Sequence, residues 1–472
     1  MIRTNFTRFV IFASIVLAYA NVKAQEFPVA VGSDTTFSGG AVYGGLNGIV
    51  AVQGDNNSPY NINAQLVGAG GELIGPRISL GASGVTPGAT PVFDGTNYFL
   101  IWREFNGNLK GQFLNTSGAL MGSSLTIATN VSIERMGTYG IVLADTVFLV
   151  VFTKTDDILY GQIVGRSGSL IGGQIQISNN YAREVSLAYD NANFLVTWVE
   201  IIPEIDKDIY GQFVSKTGSL VGSNFLIDGG PYYSDNPTSL AFDGTRYLLV
   251  YHDQPDTVGN WFIMGRFITA SGVIEETVTI CDTSLAPFIA SVAFDNENYF
   301  ITWTQLTDRT LRGRFYSKSG VPIDTSFVVM SPSENKIPFG GVGFGGGLYL
   351  VVGTKVDFNF SDGDVYARFI SPLTTGVDNE INLMPDKITL YQNYPNPFNP
   401  VTVIQYALPE AGHVSLIVYD MLGREVQRLV DGEMIAGVHR VNFEAGSLSS
   451  GLYFYLLNTG EQSIARRMML LR

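Results

Sequence analysis

The residues best equipped for chemistry are carboxylates and aromatics held in short polar stretches between apolar runs. Asp357-Phe-Asn-Phe-Ser-Asp-Gly-Asp364 offers oxygen ligands at Asp357, Asn359, Asp362 and Asp364, a donor set that suits a hard cation such as Ca²⁺. Its glycine falls one place late for an EF-hand loop and the closing glutamate is absent, so the match to that loop is partial. A larger set comprises Glu104, Phe105, Asp156, Asp157, Asp206, Asp208, Tyr232, Tyr233 and Trp261. Two facing carboxylates suffice for glycoside hydrolysis, yet no spacing here singles out a pair. His252 is the one histidine between residues 25 and 387, which leaves no Ser-His-Asp triad repeated from unit to unit and no histidine-based zinc site. The lone Cys281 excludes a disulfide framework. These residues point to ligand binding without a cofactor rather than to catalysis. A glycosidase-like extracellular hydrolase and a structural surface component remain the alternatives.

A repeated unit must position those residues. Phe242-Asp-Gly-Thr-Arg-Tyr-Leu-Leu-Val-Tyr251 and Phe294-Asp-Asn-Glu-Asn-Tyr-Phe-Ile-Thr-Trp303 are its clearest copies, with others at 93–102, 143–152, 189–198 and 344–353. A second anchor follows each: Gly111-Gln112-Phe113, Gly161-Gln162-Ile163, Gly211-Gln212-Phe213, Gly265-Arg266-Phe267 and Gly313-Arg314-Phe315, with Gln65 and Arg368 in the outer variants. Successive anchors lie 47 to 54 residues apart. Asp-Gly and Ser-Gly turns between apolar runs are hairpin signals, because such turns need positive φ. Each unit therefore parses into four short strands, A to D, and seven units predict an all-β, seven-bladed β-propeller. The seventh unit lacks a strand D, and the segment from Glu26 to Val31 resembles one. The N-terminal strand is therefore expected to close the last blade and remove an open sheet edge. The unit also resembles a repeat of exported bacterial proteins, which implies a secreted propeller without naming its chemistry.

In such a blade the A–B and C–D turns share one face and the B–C and D–A loops the other. Here the turns are uniform and the loops vary, so the carboxylates and aromatics above are expected on one recognition face. Trp102, Trp198 and Trp303 end strand B in three copies, a register that predicts packing between blades. Trp261 lies outside that register and is the better ligand contact.

Formal net charge is −14, and residues 25 to 387 carry 35 acidic against 19 basic side chains. Such a surface repels phosphate backbones, which argues against nucleic acid as a partner. Arg3, Arg8, the apolar run Phe9 to Tyr19 and Val22-Lys23-Ala24 read as a secretory signal cleaved between Ala24 and Gln25. That run is short for a membrane span, and no later stretch is long enough.

The tail reads as a separate small β-sandwich over residues 388–472, after a polar linker over 377–387 that follows the propeller of 25–376. Tyr394-Pro395-Asn396-Pro397-Phe398-Asn399-Pro400 forces an extended start, and six short period-two strands follow. This segment closely resembles the type A C-terminal sorting domain of the type IX secretion system. The resemblance rests on the Tyr394–Pro400 motif, Gly423-Arg424 after Val418-Tyr-Asp-Met-Leu, Gly437-Val-His439, Gly451-Leu-Tyr453 and the basic-apolar end at Arg472. It implies export to the periplasm, recognition by the outer-membrane machinery and its sortase, and release or surface attachment. The ligand of the propeller, a glycan or a protein outside the cell, is left open.

Overall fold

The computed structural model describes residues 26–31, 37–44, 47–53, 61–82, 89–132, 138–202, 206–229, 234–253, 261–281, 287–333, 335–357, 363–373, 388–391, 393, 396, 398–408, 412–434, 437–446, 448–460 and 462–471. The leader with its Ala24–Gln25 junction, the segment 374–387 and Tyr232, Tyr233, Asn359, Asp362, Tyr394, Pro395, Pro397 and Arg472 lie outside them. The chain divides between Val377 and Asp378 into two compact units.

The first unit holds seven four-stranded antiparallel sheets. Blade 1 runs Phe37–Tyr43, Asn47–Gln53, Asn61–Gly68 and Leu73–Ala82. Blade 2 runs Thr90–Phe93, Asn97–Arg103, Leu109–Asn115 and Leu120–Ala128. Blade 3 takes Tyr139–Ala144, Val147–Thr153, Leu159–Gly165 and Leu170–Gln176. Blade 4 takes Ala182–Tyr189, Asn193–Ile202, Asp206–Ser215 and Leu220–Asp228. Blade 5 is Ser234–Phe242, Arg246–Asp253, Phe262–Thr269 and Ile274–Cys281, and blade 6 is Pro287–Phe294, Tyr299–Gln305, Thr310–Tyr316 and Phe327–Met330. Blade 7 combines Ile337–Gly345, Leu348–Val356 and Gly363–Ile370 with the N-terminal strand Phe27–Ala30, which pairs Phe27 with Ala367 and Pro28 with Tyr366. Strand A of each blade packs against strand A of the next, and blade 7 returns to blade 1, so the ring closes. The closing strand is further held by Lys355 Nζ on Glu26 Oε1 at 2.7 Å and by Phe27 stacked on Phe369.

Each blade lies face to face with two neighbours, so strand B is covered on both sides. Phe148, Leu149, Val150, Val151 and Phe152 are all fully buried, which is why these strands read as unbroken apolar runs. Trp102, Trp198 and Trp303 fill the interblade layers, as their register predicts. The repeated Gln has a local task. A register shift lies between Gly211 and Phe213 where strand C meets strand D, and Gln212 Nε2 spans it with bonds to the carbonyls of Phe213 at 2.9 Å and Val221 at 3.0 Å. Gln65, Gln112 and Gln162 do the same in blades 1 to 3.

The turn face is stitched from blade to blade. Tyr98 donates to the Asn47 carbonyl at 2.6 Å and Tyr349 to that of Asn298 at 3.1 Å. Lys216 pairs with Asp145 at 2.7 Å, and Lys318 reaches the Asp243 carbonyl at 2.8 Å. The Tyr299 phenol is held protonated by burial first and then by the Asp243 carboxylate beside it.

The second unit packs a three-stranded sheet of Thr389–Leu390, Val401–Leu408 and Gly437–Glu444 against a four-stranded one of Glu425–Met434, Gly412–Tyr419, Gly451–Asn458 and Ser463–Leu470. Ile404, Tyr406, Leu416, Val418, Phe443, Tyr455, Leu457 and Met468 share its core. The start of the tail motif is clamped to the last strand: Phe398 N donates to Met469 O at 2.9 Å, Leu471 N to Phe398 O at 3.0 Å, and Met469 N to Asn396 Oδ1 at 2.8 Å. Pro400, next to Asn399, receives Ala445 N at 2.9 Å. Asp420 caps the exposed turn at Gly423 and pairs with Arg424 at 2.7 Å, His439 stacks on Tyr406, and Tyr453 donates to Ser449 O.

Candidate functional site

The B–C and D–A loops meet at the end of the ring opposite the uniform turns, and their backbones bond to one another. Val131 N donates to Gly107 O, Thr155 N to Asn130 O and Ser132 N to Thr153 O, each at 2.9 Å, and Ala182 N donates to Asp157 O at 2.8 Å. Beneath them, the polar residue that follows the strand B aromatic reaches the next blade. Thr153 Oγ1 donates to Ala182 O at 3.0 Å, Thr304 Oγ1 to Pro338 O at 2.9 Å, and Arg103 Nη1 to Ser132 O. Burial pushes the Arg103 pKa down, and Tyr139 acts in the opposite direction. The floor of this face is therefore a rigid hydrogen-bonded layer.

Among the sequence candidates, several carboxylates hold their own turns. Glu104 Oε2 accepts from Asn106 at 3.3 Å and from Asn108 at 3.4 Å. Asp156 accepts from Ile158 N and from the Tyr160 hydroxyl, both at 3.1 Å, and Asp157 has a φ of 63° in the same turn. Asp206 and Asp208, placed in a loop by the sequence reading, lie instead in strand C of blade 4, paired with Ile202 and Glu200. The alternation of this strand runs on through Lys207 and Ile209, so the hairpin is longer than its polar composition suggests. Glu200 is buried and accepts from Asn180 Nδ2 at 2.5 Å. Of the cation donors, Asp364 is engaged by Lys336 at 2.6 Å. Among the described residues no group of three His, Cys, Asp or Glu could hold a metal ion.

The aromatic candidates behave differently. Phe105 is 47% exposed, Trp261 39% and Phe288 41%, and these are the exposed aromatic side chains among the described residues of the ring. All three stand on the loop face: Phe105 in a B–C loop, Trp261 just before a strand C, Phe288 at the start of a strand A. Trp261 and Phe288 share a neighbour in His252, whose imidazole stacks on Phe288 at 5.5 Å and meets Trp261 edge-on at 6.3 Å. Phe339 of blade 7 meets Phe288 edge-on at 6.0 Å. Phe105 and Trp261 are among the sequence candidates, and Phe288 is not. Phe288 sits beside a strand irregularity, between it and Ala290, that no residue pattern announces.

Residues 392–470 match the secretion system C-terminal sorting domain. Among curated proteins none matches the sequence significantly. Solved structures with similar coordinates include a fungal alcohol oxidase in complex with copper, at 11% identity over 95% of this chain and 98% of that one, TM-score 0.48. The β-propeller domain of the Trilobed protease from Pyrococcus furiosus is 12% identical over 72% of this chain and 94% of that one, TM-score 0.44. AofleA from Arthrobotrys oligospora is 14% identical over 68% and 94%, TM-score 0.43. Likeness this distant carries no information on activity. Among the described residues no helix is long and apolar enough to cross a membrane.

Proposed function

We propose that this chain, which ends in a type IX secretion sorting domain and is therefore secreted or attached at the outer-membrane surface, is a binding protein whose propeller takes an extracellular ligand on its B–C and D–A face. The carrying observation is that Phe105, Trp261 and Phe288 all stand on that face, while the turn face exposes no large aromatic among the described residues. Exposed aromatics on a rigid frame supply contact area at low entropic cost, because the strands that hold them are already ordered. Binding is favoured over hydrolysis by the engagement of Glu104 and Asp156 in their own loops, since a hydrolase needs two carboxylates free to face one bond.

The test uses the full chain on arrays of immobilised glycans and extracellular proteins, beside a variant with Phe105, Trp261 and Phe288 all changed to Ser. Binding to at least one probe is expected, with loss in the variant at an unchanged melting temperature. Equal binding by both proteins to every probe would refute the assignment to this face.

A further inference from the structure

We propose that the shelf formed by Trp261, Phe288 and Ile289 around His252 is a stacking subsite for one ring of a neutral saccharide. This rests on the reading of the loop face as a ligand face, and names where on it the ligand sits and of what class it is.

The three shelf residues expose large apolar side chains that a soluble ring would ordinarily bury. Ile289 is 38% exposed beside Phe288, because the strand slips between Phe288 and Ala290 and turns two successive side chains outward. A second, independent feature lies beside both aromatic rings. His252 is 3% exposed, and its Nε2 has no hydrogen-bond partner among the described residues. Polar residues in the same position of three other blades reach across: Arg103 Nη1, Thr153 Oγ1 and Thr304 Oγ1 donate to carbonyls at the edge of the next blade. In blade 5 the Phe288 ring lies against the imidazole instead. An orphaned buried polar atom is costly, and a ligand that opens a path to it and supplies its partner gains what the free protein lacks.

The ligand must then combine an apolar face with a polar edge. A pyranose ring does so. Its C–H face carries slight positive charge and suits the negative face of indole and phenyl rings, and a ring hydroxyl can donate to or accept from an imidazole nitrogen. A purely apolar partner would leave Nε2 unpaired. Burial holds the imidazole pKa down at about 4, so at neutral pH it offers a hydrogen bond and no charge. The carboxylate excess of the chain disfavours anionic polymers.

Affinity electrophoresis of the full chain through native gels containing soluble β-glucan, xylan, mannan, galactan or polygalacturonate tests this. At least one neutral polymer should retard the protein, with little effect from polygalacturonate. Trp261→Ala and Phe288→Ala should each weaken retardation roughly tenfold, the loss of a single good aromatic contact, without lowering the melting temperature. His252→Phe, which keeps the aromatic packing, should also weaken it. Three outcomes would overturn the inference. Retardation could follow Phe105→Ser and not the shelf variants, or no neutral polymer could retard the protein at all; either leaves the wider face reading intact. Retardation unmoved by all of these substitutions would sink both.

Discussion

Single side chains carry both the stability and the pH response of the loop face. His252 is the clearest case, because burial lowers its pKa from 6.5 to about 4 in the folded ring. Between those values the unfolded chain binds a proton that the folded chain refuses, so stability falls as pH drops from about 6.5 towards 4 and is unaffected above. Replacing His252 with Phe should remove that part of the acid sensitivity. Urea unfolding at pH 7 and pH 4.5 should show a drop smaller by about 2 kcal/mol in the variant than in the parent. An identical drop in both would mean that the imidazole is not desolvated. The residue itself was visible in the sequence as the one histidine of the repeat region. Its surroundings were not, because Trp261 lies 9 residues on, across the strand B–strand C hairpin of the same blade, and Phe288 lies 36 residues on, in strand A of the next blade.

The repeating element is the C–D hairpin, and its two glycines answer to different demands. Gly218 has a φ of +85°, and a Cβ there would stand 3.0 Å from Ile175 Cδ1 of the preceding blade. Gly222 has a φ of +71° but faces open space. Gly222→Ala should therefore cost about 1 kcal/mol for the left-handed backbone alone. Gly218→Ala should cost roughly 2 to 3 kcal/mol, because the interblade packing must also give. Chemical denaturation of the two variants separates these terms, and equal losses would show that the turn glycine does not pack between blades. The glycine that follows each Gly-Gln anchor was legible as a turn signal. Gly222 was not, since the irregularity that Gln212 spans depends on the partner strand rather than on the local sequence.

At the scale of the molecule, two separate units divide the work, and sorting belongs to the smaller one. In it the Asn396–Phe398 segment is bonded to Met469 and Leu471 of the final strand, and Gly451–Asn458 is the neighbour of that strand. Removing residues 451–472 therefore strips half of the four-stranded sheet and unclamps the opening motif. The truncated protein should accumulate in the periplasm, measured by fractionation and immunoblot, while the propeller stays folded on its own closed ring. Export of the truncated chain at the parental level would show that sorting does not need this strand pair. The ring is independent because Phe27–Ala30 completes blade 7, which leaves that blade no half-built sheet to be finished by another part of the chain.

The sequence by itself determined the all-β class, the seven units, the closing N-terminal strand and the sorting tail. Each is written in local patterns: period-two runs, turn glycines and motifs a few residues long, read without knowing what lies next in space. The loop-face chemistry was decided by the tertiary structure. Which carboxylates hold their own turns and why Asp206 and Asp208 are paired strand residues depend on hairpin geometry that composition does not show, and Trp261, His252 and Phe288 share one shelf only because strand A of blade 6 packs on blade 5. The physical reason is that a repeat repeats its hydrogen bonds and its buried apolar layers, whereas a recognition site is made where one blade departs from the others, and only packing brings such departures together.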